Sequence, residues 1–142
     1  MAKEISPRLA EIVDALPLKP GLRVLEIGCG PGVAARAVVE RIGSGHVLAI
    51  DRSAKAIQQA RVACKAEIDS GRLSLRNVAA EDLELQKGEK PYDIAFAVRV
   101  GALDGRHPEA GKRARQRIAR VLVKGGRLFI DGGDPLREIS LE

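Results

Sequence analysis

The stretch Arg23–Gly32 reads R-V-L-E-I-G-C-G-P-G. The apolar residues at its start have the length and composition of a buried strand, and three alternate glycines, Gly28, Gly30 and Gly32, follow directly. Because glycine has no Cβ, such positions accept a positive φ and let a ligand lie against the backbone. Helical spacing begins at Val33. The stretch therefore predicts a strand, a glycine turn and a helix, the first half of a nucleotide-binding βαβ unit.

The glycine turn is predicted to lead straight into its helix. Pro31 is expected at the first helical position, where the missing N–H of proline costs nothing. The helix would then direct free N–H groups and a partial positive charge at a ligand in the turn. A turn that merely reverses the chain is the alternative. The preceding strand, the following helix and the nearby carboxylate of Glu26 argue against it.

The spacing of the glycines distinguishes between ligands. The dinucleotide pattern G-x-G-x-x-G requires a third glycine where this chain has Val33. The chain has E-x-G-x-G-x-G instead, and the carboxylate of Glu26 would oppose a pyrophosphate but suit a ligand with an ammonium group. The run V-L-E-I-G-C-G-P-G resembles the first motif of the class I S-adenosylmethionine-dependent methyltransferases. The resemblance implies a Rossmann-like sheet and these cofactor contacts: Glu26, Gly28, Cys29, Gly30, Pro31 and Val33.

The length and composition of the chain limit its number of domains and its class of protein. A chain of 142 residues predicts one domain, residues 1–142, and 45% hydrophobic with 30% charged residues is typical of a globular protein. No apolar run approaches the ~18 residues of a membrane span, and no signal-peptide pattern is present, so we expect a cytoplasmic protein without a membrane partner. The net charge of +5 does not by itself indicate nucleic acid. The two cysteines lack metal-ligand spacing, and no metal is predicted.

A second acidic residue follows the second predicted strand, which ends at Ile50. Asp51 comes about twenty residues after the glycine turn, where a carboxylate can accept hydrogen bonds from both hydroxyls of a ribose. The alternative is that Asp51 caps the following helix, for which Ser53 is better placed. Arg52, the next residue, is also a predicted cofactor contact. The helix itself is predicted to run without a break over 53–68.

The third predicted strand, Leu73–Val78, leads into an acidic turn. Methyltransferases that resemble this chain carry an acidic residue at the start of that turn, where it accepts from the adenine amino group. This chain has Ala79 there. Either Glu81 or Asp82 takes that role, or backbone groups near Ala80 contact the base. An exposed acidic turn without function is the alternative.

The most uninterrupted apolar run, Tyr92–Val98, predicts a central strand. In such sheets the ligand lies beyond the carboxyl ends of the strands, where strand order reverses. The residues at the end of this strand are therefore expected to face the cofactor: Ala97, Val98 and Arg99. The following loop, 99–108, would recognise an acceptor, and Asp104 and His107 are its candidates for proton transfer. A solvated loop histidine is the alternative for His107.

The remaining segments complete the prediction. An amphipathic helix is expected at 5–16 and a basic helix at 109–123, whose charges are ordinarily a solvated face. The run 122–131, with its Lys-Gly-Gly turn, resembles the family's turn into a fifth strand, which is expected around Leu128, Phe129 and Ile130. The family adds a strand hairpin after it, for which only residues 132–142 remain. We therefore expect about five parallel strands without that hairpin. The exposed fifth-strand edge would favour a homodimer.

These features together predict a three-layer α/β domain that binds S-adenosylmethionine and methylates an acceptor. The aromatic side chains, Tyr92, Phe96 and Phe129, fall in or beside core strands, which leaves no surface platform for stacking bases. A small-molecule acceptor is therefore favoured, with nucleic acid left open. Two alternatives remain: a cofactor-binding module that needs a partner, and a fragment of a nicotinamide-dependent oxidoreductase, against which Glu26 and Val33 argue.

Overall fold

The computed structural model describes residues 4–141. Helices and strands alternate along most of the chain, in this order: α1 (Pro7–Ala15), β1 (Arg23–Ile27), α2 (Val33–Val39), β2 (His46–Asp51), α3 (Ala54–Ala63), α4 (Lys65–Asp69), β3 (Leu73–Asn77), a 3₁₀ turn (Ala80–Asp82), β4 (Tyr92–Ala97), α5 (Pro108–Val121), β5 (Leu122–Asp131) and β6 (Leu136–Ile139). Within the described residues, none of these helices has the length and apolarity that a membrane crossing requires.

The strands form one sheet in the order β3-β2-β1-β4-β5-β6. The first five strands run parallel, and β6 is antiparallel to β5. Strand order reverses between β1 and β4, because the chain leaves β1 towards β2 on one side and later returns to β4 on the other. Loops that follow these two strands diverge and leave a crevice at their carboxyl ends, where ligands bind in sheets of this kind.

Two apolar layers cover the sheet, because successive side chains of a strand point to opposite faces. One face packs against α1, α2 and α3, with Val38 and Phe96 fully buried in this layer. The other face packs against α5, where Leu25 of the sheet lies in the same layer as Ile118 of the helix. The predicted three-layer, Rossmann-like α/β architecture is confirmed, and β4 is a central strand, as the apolar run predicted.

The prediction that the fifth strand forms an exposed edge is wrong. Strand β6 pairs along it, from Leu128 opposite Ile139 to Asp131 opposite Leu136. The chain reverses at Gly132, whose φ of 111° is a conformation that glycine adopts readily. Strand β6 occupies the backbone groups of β5 from Leu128 to Asp131, so this part of β5 is not the free edge on which the homodimer was predicted. The homodimer itself stays a prediction.

The predicted continuous helix over 53–68 is also corrected, because it breaks at Cys64 into α3 and α4. Cys64 has φ −104° and ψ 20°, outside the helical region. Its thiol is fully buried and donates to the carbonyl of Gly32 at 3.7 Å. The break therefore accompanies a side-chain contact with the glycine turn, which the apolar spacing of the helix does not reveal.

Candidate functional site

The glycine turn has the geometry that its sequence predicts. Gly28, Gly30 and Gly32 have φ of 72°, 53° and 88°, all in the left-handed region that favours glycine. The backbone N–H groups of Gly28 and Cys29 both donate to the carbonyl of Ile50, each at 2.9 Å. These bonds hold the turn against the end of β2, so its backbone is fixed at the carboxyl ends of the central strands.

The expected place of Pro31 in the helix is wrong. Helix α2 begins at Val33, and Gly32 is its N-cap with φ 88° and ψ 17°. A residue in that left-handed conformation cannot belong to the right-handed helix, so Pro31 lies in the turn, two residues before the first helical one. The thiol of the neighbouring Cys29 is buried and donates to the carbonyl of Gly30 at 3.5 Å.

The carboxylate of Asp51 joins the glycine turn to the start of α3. One oxygen, Oδ2, accepts from the N–H of Gly30 at 2.9 Å, and Oδ1 accepts from the N–H of Ser53 at 2.9 Å. Ser53 caps α3 itself, since its hydroxyl accepts from the N–H of Ala56 at 3.1 Å. Each carboxylate oxygen can accept a second hydrogen bond. Asp51 therefore shapes the turn and keeps acceptor capacity for a ligand.

Glu26 is a buried carboxyl beneath the same turn. It is 3% exposed, and its Oε1 has no hydrogen-bond partner within residues 4–141. Burial raises the pKa of Glu26 from 4.5 to about 8; the Asp51 carboxylate adds to the rise, and a backbone hydrogen bond with Ala35 opposes it. Without a ligand, Glu26 is therefore largely protonated at neutral pH.

The raised pKa of Glu26 predicts a pH-dependent stability. Between about pH 5 and 8 the folded protein holds a proton at Glu26 that the unfolded chain has released. The free energy of unfolding should therefore fall as pH rises through this window, by up to about 1.4 kcal/mol per pH unit. Glu26→Gln should remove this part of the slope in urea titrations at several pH values. Glu40→Gln, at an exposed carboxyl, is the matched control, and an unchanged slope in Glu26→Gln would contradict the assignment.

A cavity of about 570 Å³ lies at the carboxyl ends of β1, β2, β3 and β4. Seven of the predicted site residues line it: Gly28, Asp51, Arg52, Ala80, Glu81, Arg99 and His107. The others are not part of its lining: Glu26, Cys29, Gly30, Pro31, Val33, Ala97, Val98 and Asp104. The adjoining apolar wall includes Ile50 and Val78. The structure thus brings residues from four separate segments to one crevice, at the reversal in strand order.

Arg99 has an unusual backbone conformation at the entrance to the loop after β4. Its φ is 59°, the only positive φ of a non-glycine residue among those described. Its N–H donates to Oδ1 of Asp131 at 3.0 Å, which ties the loop to the end of β5. Arg99 also lines a second cavity of about 150 Å³, together with Ser6 and Leu9 at the start of α1. It therefore lies between the main cavity and the first helix.

The two candidates for proton transfer have different surroundings. Asp104 pairs with Arg106, whose Nε donates to Oδ1 at 3.0 Å and to Oδ2 at 2.8 Å. This guanidinium holds the pKa of Asp104 below its usual range. His107 is exposed and lines the cavity, whereas Asp104 does not. Of the two candidates, Asp104 and His107, only the His107 imidazole lies at the cavity wall.

Several residues of this wall were not among the predicted site residues, and two of them, Val100 and Arg106, have clear contacts. Val100 packs on the glycine turn, since a Cβ placed on Gly28 would lie 2.7 Å from its Cγ2. Arg106 reaches the cavity because Asp104 holds its side chain. The spacing D-G-R in a glycine-containing loop was the available signal for this pair, although it does not reveal which way the guanidinium points.

The family model described as "Methyltransferase domain" matches residues 24–126. The chain belongs to the S-adenosylmethionine-dependent methyltransferase family. The resemblance seen in the glycine motif is thereby confirmed, and S-adenosylmethionine is the cofactor of this class. The matched residues extend from β1 to Gly126 within β5, so they include the glycine turn, Asp51 and the loop after β4.

Similar proteins agree with this membership. The methyltransferase domain is 35% identical to protein-L-isoaspartate O-methyltransferase of Methylorubrum populi over 89% of this chain and 52% of that protein. It is 30% identical to trans-aconitate 2-methyltransferase of Methylobacterium nodulans over 98% of this chain and 49% of that protein. The chain thus spans about half the length of these curated relatives. The solved phosphoethanolamine N-methyltransferase 2 of Haemonchus contortus, in complex with phosphomonomethylethanolamine and S-adenosylhomocysteine, superposes with a TM-score of 0.69 at 27% identity, covering 87% of this chain and 27% of that one.

Proposed function

We propose that this domain holds S-adenosylmethionine across the glycine turn and the 570 Å³ cavity and methylates a small-molecule acceptor. The observation that carries the proposal is the meeting of Gly28 and Asp51 with the loop after β4 in one crevice. That crevice lies where strand order reverses, the usual ligand position in a sheet of this kind.

The residues of the turn fit the cofactor. A Cβ placed on Gly30 would meet no atom of the described residues within 4 Å, so this face of the turn is open to a ligand. Asp51 has acceptor capacity left for two ribose hydroxyls, and Ile50 and Val78 offer an apolar wall to an adenine ring. The unpartnered Oε1 of Glu26 suits a nearby ammonium group, which would favour the ionised carboxylate.

When bound, S-adenosylmethionine supplies a methyl group to a lone pair on the acceptor, while the bonding electrons of the carbon–sulfur bond stay on sulfur. The domain's own contribution is alignment of the two reactants, which is worth several kcal/mol of a barrier. Val100 covers the glycine turn from the loop side. His107 is the proposed proton acceptor for a nucleophile that must lose a proton, because its imidazole lines the cavity.

Two observations support a small acceptor over nucleic acid. Tyr92 and Phe96 are buried, and Phe129 is only 7% exposed, so none of the three offers a face to a base. The guanidinium groups of Arg23 and Arg127 also lie over the rings of Tyr92 and Phe129. Among the relatives, the name trans-aconitate 2-methyltransferase specifies a small organic acid as acceptor.

The proposed function is tested with methyl-labelled S-adenosylmethionine, offered with a low-molecular-weight metabolite extract or with total RNA at physiological salt. We expect label in the metabolite fraction. His107→Gln should lower the rate by about 100-fold without changing affinity for S-adenosylhomocysteine. An unchanged rate would remove His107 from the mechanism. Sequence-selective labelling of RNA would overturn the small-molecule acceptor, and cofactor binding without transfer would indicate a binding module.

A further inference from the structure

We propose that the acceptor carries a carboxylate, and that Arg99 and Arg106 hold this carboxylate at the loop wall of the cavity. The inference rests on the proposed function, since it names the substrate class of the same site. It follows from the distribution of charge around the cavity and from the way in which the loop after β4 is fixed.

Charged groups are unevenly distributed around the cavity. Its acidic residues are Asp51, at the end of β2, and Glu81, in the 3₁₀ turn that follows β3. A nucleoside presents hydroxyl and amino donors, which match these acceptors. The loop after β4 contributes two arginines, Arg99 and Arg106, and no carboxylate to the lining. Arg52 is basic as well but directly follows Asp51. An acceptor that enters from the loop side therefore meets guanidinium groups.

The backbone of Arg99 is held in place, and its guanidinium has no polar partner among the described residues. A left-handed conformation is unfavourable for a residue with a Cβ, and such outliers concentrate at functional sites. The bond from its N–H to Oδ1 of Asp131 maintains this conformation. Within residues 4–141 its guanidinium makes no hydrogen bond or ion pair, since the N–H bond to Asp131 is the one polar contact of Arg99. The backbone is thus fixed and the charge is left for a ligand.

Asp104 orients the side chain of Arg106 without occupying all of its hydrogen-bond donors. Asp104 accepts both side-chain bonds from Nε, and its Oδ1 also accepts from the backbone N–H of Arg106 at 3.2 Å. The two Nη atoms form no hydrogen bond with the described residues. Nη2 lies 3.2 Å from the position of a Cβ on Gly101, which is itself part of the cavity wall. A guanidinium with free Nη donors is suited to planar, two-pronged recognition of a carboxylate.

The cofactor carries a carboxylate of its own, so a carboxylate at this wall could come from either reactant. Binding of S-adenosylhomocysteine alone reports on the cofactor's carboxylate, whereas methyl transfer at limiting acceptor reports on the acceptor's. If the arginines hold the acceptor, Arg99→Gln and Arg106→Gln should leave affinity for S-adenosylhomocysteine unchanged. They should raise KM for the acceptor by roughly 10-fold to 100-fold, the effect of losing hydrogen bonds to a charged partner.

The experiment separates a metabolite extract on an anion-exchange resin at pH 7 and offers the retained and unretained fractions to the full chain with methyl-labelled S-adenosylmethionine. We expect label in the retained fraction, and loss of that label in Arg99→Gln and Arg106→Gln. Arg61→Gln, at an exposed arginine of α3, is the matched control for a change of charge and should keep wild-type transfer.

Three results would overturn the proposal. Label confined to the unretained fraction would show that the acceptor is not anionic. Label in the retained fraction that both arginine variants preserve would show that these side chains do not hold it, and a parallel loss of S-adenosylhomocysteine affinity would assign them to the cofactor. Failure of the wild type to bind S-adenosylhomocysteine, or to label either fraction, refutes the proposed function itself and the inference with it.

Discussion

Replacing Gly32 by alanine is expected to lower the free energy of unfolding by about 2–5 kcal/mol. Two costs combine at this position. The φ of 88° is unfavourable for any residue with a Cβ, and the new Cβ would lie 2.6 Å from Sγ of the buried Cys64. A Cβ there therefore requires the buried Cys64 side chain, α3 or the glycine turn to move. Urea or thermal unfolding of the purified variants measures the effect.

Gly21 provides a matched control for this prediction. Its φ of 87° is almost the same, but a Cβ there would meet no atom of residues 4–141 within 4 Å. Gly21→Ala should therefore lower the free energy of unfolding only by the cost of placing alanine at a positive φ. The double variant Gly32→Ala with Cys64→Ala should recover part of the loss, because it removes the sulfur atom from the overlap. Equal destabilisation in Gly21→Ala and Gly32→Ala would contradict the proposed packing between turn and helix.

Replacing Asp51 by alanine is expected to weaken binding of S-adenosylhomocysteine by roughly 10-fold to 100-fold. The carboxylate is the proposed acceptor for the ribose hydroxyls, and it also holds the N–H groups of Gly30 and Ser53. Both effects reduce affinity, the first directly and the second by loosening the turn. Isothermal titration calorimetry of wild type and variant gives the change in Kd.

Two further variants separate these roles of Asp51. Asp51→Asn keeps one side-chain oxygen for a backbone N–H but loses the negative charge, so its affinity should lie between those of wild type and Asp51→Ala. Asp69→Ala removes an exposed carboxylate that pairs with Lys65 on α4 and should leave affinity unchanged. Wild-type affinity in Asp51→Ala would remove this residue from the site.

The parts of the fold that depend on patterns within one short segment of sequence were predictable. Strand β1, the glycine turn and α2 follow from the period of apolar residues and from glycine's tolerance of positive φ. Strand β6 was missed because L-R-E-I is a short segment whose pairing with β5 depends on a reversal at Gly132. The break at Cys64 was missed for a related reason, since apolar spacing continues through it and only the distant Gly32 reveals the contact.

The site shows the same division between local and long-range information. That Gly28, Asp51, Arg99 and His107 approach one crevice was predictable, because carboxyl ends of parallel strands share an edge of the sheet. The orientation of Arg106 was not predictable, since it depends on hydrogen bonds within the loop. Asp104 was expected to be available for proton transfer. Its pairing with Arg106 was equally unpredictable, because it depends on the same hydrogen bonds within the loop.

We expect the crevice between β1 and β4 to hold S-adenosylmethionine. Calorimetric titration of the full chain with S-adenosylhomocysteine, and separately with NAD, measures whether it does. We expect saturable binding of one S-adenosylhomocysteine per chain and no measurable binding of NAD. Tight binding of NAD, with no binding of S-adenosylhomocysteine, would contradict it.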